Sequence, residues 1–204
     1  SYWETMPFWT TFFRSLGYQV QISDKSTRKI YESGLSAVTS DTVCFPAKLI
    51  HGHIRNLAEH HVDRIFMPTI TTVSSENTAS TSESMCAIVK GYPIVIRNSD
   101  NPEKRFHIPF DAPLFHWYRT EDRNRQLAAY MKDTFDISPD ITKGAIEAAD
   151  QAQASFERQL KDAGEQVMQQ VRSEGRYAVV LASRPYQNDA LVNHDLPKMF
   201  TSMG

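Results

Sequence analysis

The chain has 204 residues, 41 % of them hydrophobic and 11 % aromatic, enough apolar surface to build a core without covalent staples. Its net charge of −2, with both signs interleaved, gives no general electrostatic pull toward nucleic acid or anionic lipid. Two cysteines do not make a disulfide framework, and no apolar run approaches the ~20 residues that span a bilayer. The opening Ser1-Tyr2-Trp3-Glu4 lacks the basic-then-apolar order of a signal peptide. These features predict a cytoplasmic chain with reduced thiols, bound neither to nucleic acid nor to a membrane. The missing initiator Met suggests a processed chain or an excised piece.

In chain order, Pro7 to Leu16 reads as a helix, with Phe8, Phe12, Phe13 and Leu16 near helical spacing and Gly17 as its stop. Tyr18-Gln19-Val20-Gln21-Ile22 alternates as a strand does. Ser26 to Glu32 is a short helix stopped by Gly34. Ala47 to His60 is a helix with Leu49, Ile50, Ile54 and Leu57 on its apolar side. Val62 to Met67 is a short apolar strand ending at Pro68. Residues 70–85 are rich in Thr and Ser and read as a loop. Met85 to Val89 reads as a strand, and Gly91-Tyr92-Pro93 as the start of a short helix. Phe106 to Phe110 is strand-like. Thr120 to Phe135 is a helix, and Ser138-Pro139-Asp140 opens a long one that runs to about Ser173 and ends at Gly175. Tyr177 to Ala182 is a continuous apolar strand of the parallel-sheet kind, Ser183 to Tyr186 is its turn, and Ala190 to Met203 is a last helix. This alternation predicts an α/β protein. One lobe spans 1–135, a long bridging helix spans 136–175, and a second α/β lobe begins over 176–204.

The densest run of reactive side chains is Asp41 to His53. Cys44 falls at or just before a helix N-terminus, where backbone N–H groups and the helix dipole favour a thiolate, and Lys48 lies one turn on. Two readings stay open at Cys44: a thiolate for nucleophilic attack or metal ligation, and a small buried hydrophobe. His51 is seven positions after Cys44, about 10 Å along a regular helix, so the two do not share one metal. His51 and His53 point to different faces and suit hydrogen bonding, with Gly52 marking close helix packing. Cys86 is far away in sequence, yet loops at the ends of neighbouring parallel strands meet at one sheet edge. Two thiolates there could hold a metal or cluster, short of the four cysteines usual for iron–sulfur clusters. Arg184, in the turn after the last strand, is either a phosphate or carboxylate partner or part of an ordinary polar turn. Neither GxGxxG nor GxxxxGK[ST] occurs, which disfavours an ATPase or a dinucleotide enzyme.

Several segments together resemble a known family. They are Pro7-Phe8-Trp9 with Phe12-Phe13 and Leu16-Gly17; Tyr31-Glu32 with Gly34; Ser40 to Lys48 with His51-Gly52-His53; Val62-Asp63 with Ile65-Phe66 and Pro68; Gly91-Tyr92-Pro93; and Arg184-Pro185-Tyr186 with Asp189 and Asn193-His194. They resemble the uncharacterised domain of CoA-substrate-specific enzyme activases, relatives of the 2-hydroxyacyl-CoA dehydratase system of anaerobic metabolism. The resemblance implies a Rossmann-like lobe similar to the dehydratase component. It implies Cys44 and Cys86 as metal ligands of an iron–sulfur cluster, of the 4Fe-4S kind, in low-potential electron transfer. Lys48 and Arg184 are then the cofactor-binding candidates. It also implies, as partners, the actin/Hsp70-like ATPase domains of the activase, a dehydratase or second copy, and a CoA-thioester substrate. A non-catalytic interaction or scaffold domain with structural cysteines, and a thiol enzyme using Cys44, are the alternatives.

Overall fold

The computed structural model describes residues 2–72, 84–117 and 119–203. The middle of the expected Thr/Ser loop, 73–83, lies outside the described residues. The regular elements are α1 (Tyr2–Ser15), α2 (Arg28–Gly34), α3 (Phe45–Glu59), β1 (Ile65–Phe66), β2 (Thr69–Ile70), α4 (Ala87–Ser99), α5 (Pro102–Phe106), β3 (Phe110–Asp111), β4 (Leu114–Phe115), α6 (Thr120–Phe135), α7 (Pro139–Ser173), α8 (Ala190–Asn193) and α9 (Leu196–Ser202). The described residues are therefore mostly helical, with two small parallel sheets. They divide into two compact units, Gln21–Pro139 and Ser1–Val20 with Asp140–Gly204.

In the unit Gln21–Pro139, the strands form what is in effect one parallel ladder. The N–H groups of Ile65, Met67 and Thr69 donate to the carbonyls of Pro109, Asp111 and Pro113 at 2.9, 2.8 and 2.7 Å. Ile65 pairs with Phe110 and Thr69 with Leu114. Pro68 and Pro113 carry no N–H, so the regular pairing is split into β1–β3 and β2–β4. Arg64, just before β1, grips Asp111 of β3 with two 2.8 Å hydrogen bonds and lies over the Phe135 ring of α6. The core of this unit joins Ala47 and Ile54 of α3, Tyr92 and Ile96 of α4, and Ile65, Met67, Ile108 and Phe110 from the ladder region. Helices α2 and α3 cross at two glycines. A Cβ on Gly52 would stand 1.9 Å from the Ile30 carbonyl oxygen, and one on Gly34 would stand 2.3 Å from the Gly52 nitrogen. Backbone touches backbone there, which explains both glycines.

In the other unit, α1 buries Phe8 and Phe12 completely. Gln153 of α7 reaches across the Glu4–Phe8 step of α1. Its Oε1 accepts from the Phe8 N–H at 3.3 Å and its Nε2 donates to the Glu4 carbonyl at 2.7 Å. Helix α7 is 35 residues long and ends at Gly175, whose φ of +63° only glycine adopts freely. Its early apolar residues Ala145, Ile146 and Ala149 are buried, whereas Leu160 and Val167 are exposed.

Several expected elements differ. Helix α1 begins at Tyr2 with Pro7 in its interior, and Phe106 ends α5 instead of opening a strand. No strand forms over Tyr18–Ile22 or Tyr177–Ala182, because neither run has a ladder partner among the described residues. Met85–Val89 is no strand either: α4 begins at Ala87 and carries Tyr92, Pro93 and Ile96 as a helical buried stripe, so Pro93 is interior rather than near N1. A five-residue apolar run is too short to separate the two periods. The last helix is cut into α8 and α9 by His194 and Asp195 at φ +54° and +57°. Pro197 explains the cut, since its ring would clash with the carbonyl four residues back, at Asn193.

Candidate functional site

Both cysteines turn out to be helix N-caps. Cys44 precedes α3 with extended φ and ψ, its carbonyl accepts from the N–H groups of Ala47 and Lys48 at 3.0 and 3.2 Å, and Pro46 sits in the first turn, where no N–H is needed. Cys86 precedes α4 in the same way, its carbonyl accepting from Lys90 N–H at 3.0 Å. Neither thiol caps its own helix, and both are exposed. The exposure removes the reading of Cys44 as a buried hydrophobe.

Each cysteine is followed by a lysine one turn on, and each lysine folds back over the approach to its helix. Lys48 Nζ donates to the Asp41 carbonyl at 2.7 Å, and Lys90 Nζ donates to Ser84 Oγ at 2.8 Å. Lys90 was not among the expected residues; the shared Cys-x-x-x-Lys spacing at two helix starts is the signal that could have found it.

Beneath the cysteines lies a buried polar network. Asp100, His51 and Tyr92 are almost fully excluded from solvent, at 0, 0 and 5 % exposure. His51 Nδ1 lies 2.7 Å from Asp100 Oδ2, and its Nε2 lies 3.0 Å from the Tyr92 hydroxyl. Arg55 donates to Asp100 Oδ2 at 3.0 Å, and Arg105 Nε lies 2.8 Å from Oδ1. Burial alone would push the Asp100 carboxyl up; the His51 hydrogen bond and the Arg55 guanidinium outweigh it and hold the carboxyl below its usual range. The Tyr92 phenol is pushed up to about 12 by burial, with the nearby Cys44 and Asp100 adding to the shift. Sequence reasoning assigned His51 a hydrogen-bonding role but named neither Asp100 nor the two arginines. Its partners are 41 and 49 positions away, and no local pattern marks them.

His51 and Arg55 of α3 meet Asp100 at the end of α4, and His51 also meets Tyr92 earlier in α4. The Met85 N–H donates to Thr71 O at 3.0 Å, just past β2, so Cys86 stands near the carboxyl end of the parallel ladder, the usual ligand edge of such sheets.

His53 faces elsewhere, its Nε2 3.1 Å from Ser26 Oγ. Arg184, in the other unit, is exposed and precedes the 3₁₀ turn Pro185–Asn188. Nearby Asp189 caps α8 through the N–H groups of Leu191 and Val192, and Asn193 donates to the Gln187 carbonyl at 2.8 Å. Among the described residues no group of three or more His, Cys, Asp or Glu side chains comes together to hold a metal ion. The sulfur donors of the chain are the two exposed cysteine thiols, half of the four-cysteine set usual for an iron–sulfur cluster. No helix among the described residues is long and apolar enough to cross a membrane.

A family model described as a CoA enzyme activase uncharacterised domain matches residues 1–204. No curated protein and no solved structure matches the chain.

Proposed function

Because the chain belongs to the CoA enzyme activase uncharacterised-domain family, we propose that it is a dehydratase-component-like module of such an activase, with Cys44 and Cys86 as two ligands of an iron–sulfur cluster. The cluster, when bound, would supply one-electron transfer at low potential toward 2-hydroxyacyl-CoA dehydration. The observation that carries this reading is the pair of exposed cysteines, each the N-cap of a helix in the same unit. Neither thiol is used in capping its own helix. Parallel pairing of residues 65–70 with 110–115 supports a Rossmann-like lobe, with Cys86 near its ligand edge. The remaining ligands then come from a partner chain, another domain or a non-cysteine group. Lys48 is proposed to balance the anionic cluster, and Arg184 to meet a phosphate or carboxylate of a CoA thioester. An actin/Hsp70-like ATPase domain and a dehydratase are the proposed partners, in the cytoplasm.

The test is anaerobic reconstitution of the intact protein with iron and sulfide, read by metal analysis and visible absorption. Cys44→Ser and Cys86→Ser should each lower bound iron. Absence of iron uptake by the unaltered protein would sink the reading.

A second reading, an interaction domain without cofactor, is favoured by one observation: Tyr177, Val180 and Leu181 are exposed in an apolar run with no sheet to join. It predicts full activity of the parent protein in Cys44→Ala and loss of activity in Val180→Asp.

A further inference from the structure

The Asp100 network has the form of a clamp between the two cysteine-bearing helices. Asp100 is the C-cap of α4, so its carboxylate is fixed at one end of the helix that Cys86 begins. That carboxylate takes His51 and Arg55, both from α3, the helix that Cys44 begins. The other nitrogen of His51 returns to α4 at Tyr92. Two separate bonds from one imidazole to one helix stop α3 from sliding along α4 or rotating against it. Arg105 of α5 closes the remaining oxygen of the carboxylate, so Asp100 is held from three sides in a site closed to water.

A buried charge in such a place is costly to keep, and a well-packed apolar trio could serve stability equally well. What the polar trio adds is a set of directional bonds that favours one axial register of α3 on α4. Register matters here because Cys44 and Cys86 are the N-caps of these helices, so the position of each helix carries its cysteine with it.

We infer that Asp100, His51 and Tyr92 are positioning residues for the Cys44–Cys86 pair, setting the separation of the two sulfurs through the register of α3 on α4. The inference deepens the cluster reading, on which it rests for treating the two thiols as a working pair, but its geometry does not depend on iron. The hydrogen bonds of the network end on one another and not on the Cys44 thiol. Its variants are expected to change the distance between the two cysteines.

These are the only two cysteines of the chain, both exposed, so spin labels can be placed on them without further substitution. Double electron–electron resonance on the labelled chain should give one narrow distance distribution. Tyr92→Phe removes one hydroxyl from the clamp and should broaden it. Asp100→Asn should broaden it further and shift its mean. Near-ultraviolet circular dichroism checks that each variant is folded; if Asp100→Asn does not fold, Tyr92→Phe and His51→Asn decide the matter. An unchanged distribution in a folded variant of the network overturns the inference. Failure of iron uptake with a broadened distribution would instead remove the cluster and leave the clamp, so the two failures are distinguishable.

Discussion

Two runs that both read as strands meet opposite fates. Val62 to Met67 yields β1 because residues 109–113 lie alongside and accept its N–H groups. Tyr177 to Ala182, with Val179, Val180 and Leu181, is if anything more strand-like, yet it forms no strand, and Tyr177 is fully exposed. Propensity proposes a strand, but a neighbour makes one. The same contrast runs along α7, whose apolar stripe is buried at Ile146 and Ala149 and open to solvent at Leu160 and Val167.

The contrast can be sharpened by substitutions that should differ greatly in cost. Asp100→Ala leaves His51 and Arg55 without their buried acceptor and is expected to lose about 3–5 kcal/mol of stability in urea unfolding. Gly52→Ala sets a methyl group against backbone rather than against a movable side chain, and should lose about 1–3 kcal/mol or more. Tyr92→Phe is a milder break in the same network, about 1–2 kcal/mol. Val180→Ser, in the exposed run, should change stability by no more than about 0.5 kcal/mol. A cost for Val180→Ser as large as for Tyr92→Phe would mean that the exposed run is packed in solution, and the comparison would fail.

Titration separates the regions too. The Asp100 carboxyl is lowered, so its contribution to stability is complete at neutral pH and is lost as pH falls through its folded value, below the ordinary aspartate range near ~4. The Tyr92 phenol is raised, so its contribution is complete below the usual tyrosine value of ~10 and is lost as pH rises toward about 12. Unfolding midpoints across pH should show both flanks, and the acid flank should flatten in Asp100→Asn. Phenolate absorbance should include a tyrosine titrating at about 12, absent in Tyr92→Phe.

Much of the helical framework was legible. The bounds of α6, and the long α7 with its glycine stop, follow from spacing and caps, and Gly52 was rightly read as a close helix contact. Cys44 at a helix start was legible from Pro46 two positions on. Cys86 reads from sequence as part of a strand over Met85–Val89, because the apolar run is brief and Pro93 resembles a helix start; the helix tolerates that proline in its interior. The network was beyond reach for another reason. Asp100 follows Asn98-Ser99 and precedes Asn101-Pro102, which reads locally as a capping turn, and it does cap α4. Arg105 is a near neighbour on α5, but only tertiary packing brings His51 and Arg55 to it.

The central claim is that Cys44 and Cys86 act together as ligands. Iron and acid-labile sulfide should be counted in the intact protein after anaerobic reconstitution, beside Cys44→Ser, Cys86→Ser and the double variant. The account predicts substantial iron in the unaltered protein, a loss in each single variant, and no larger loss in the double variant than in the worse single one. Equal iron in all four proteins, or none in any, would contradict it.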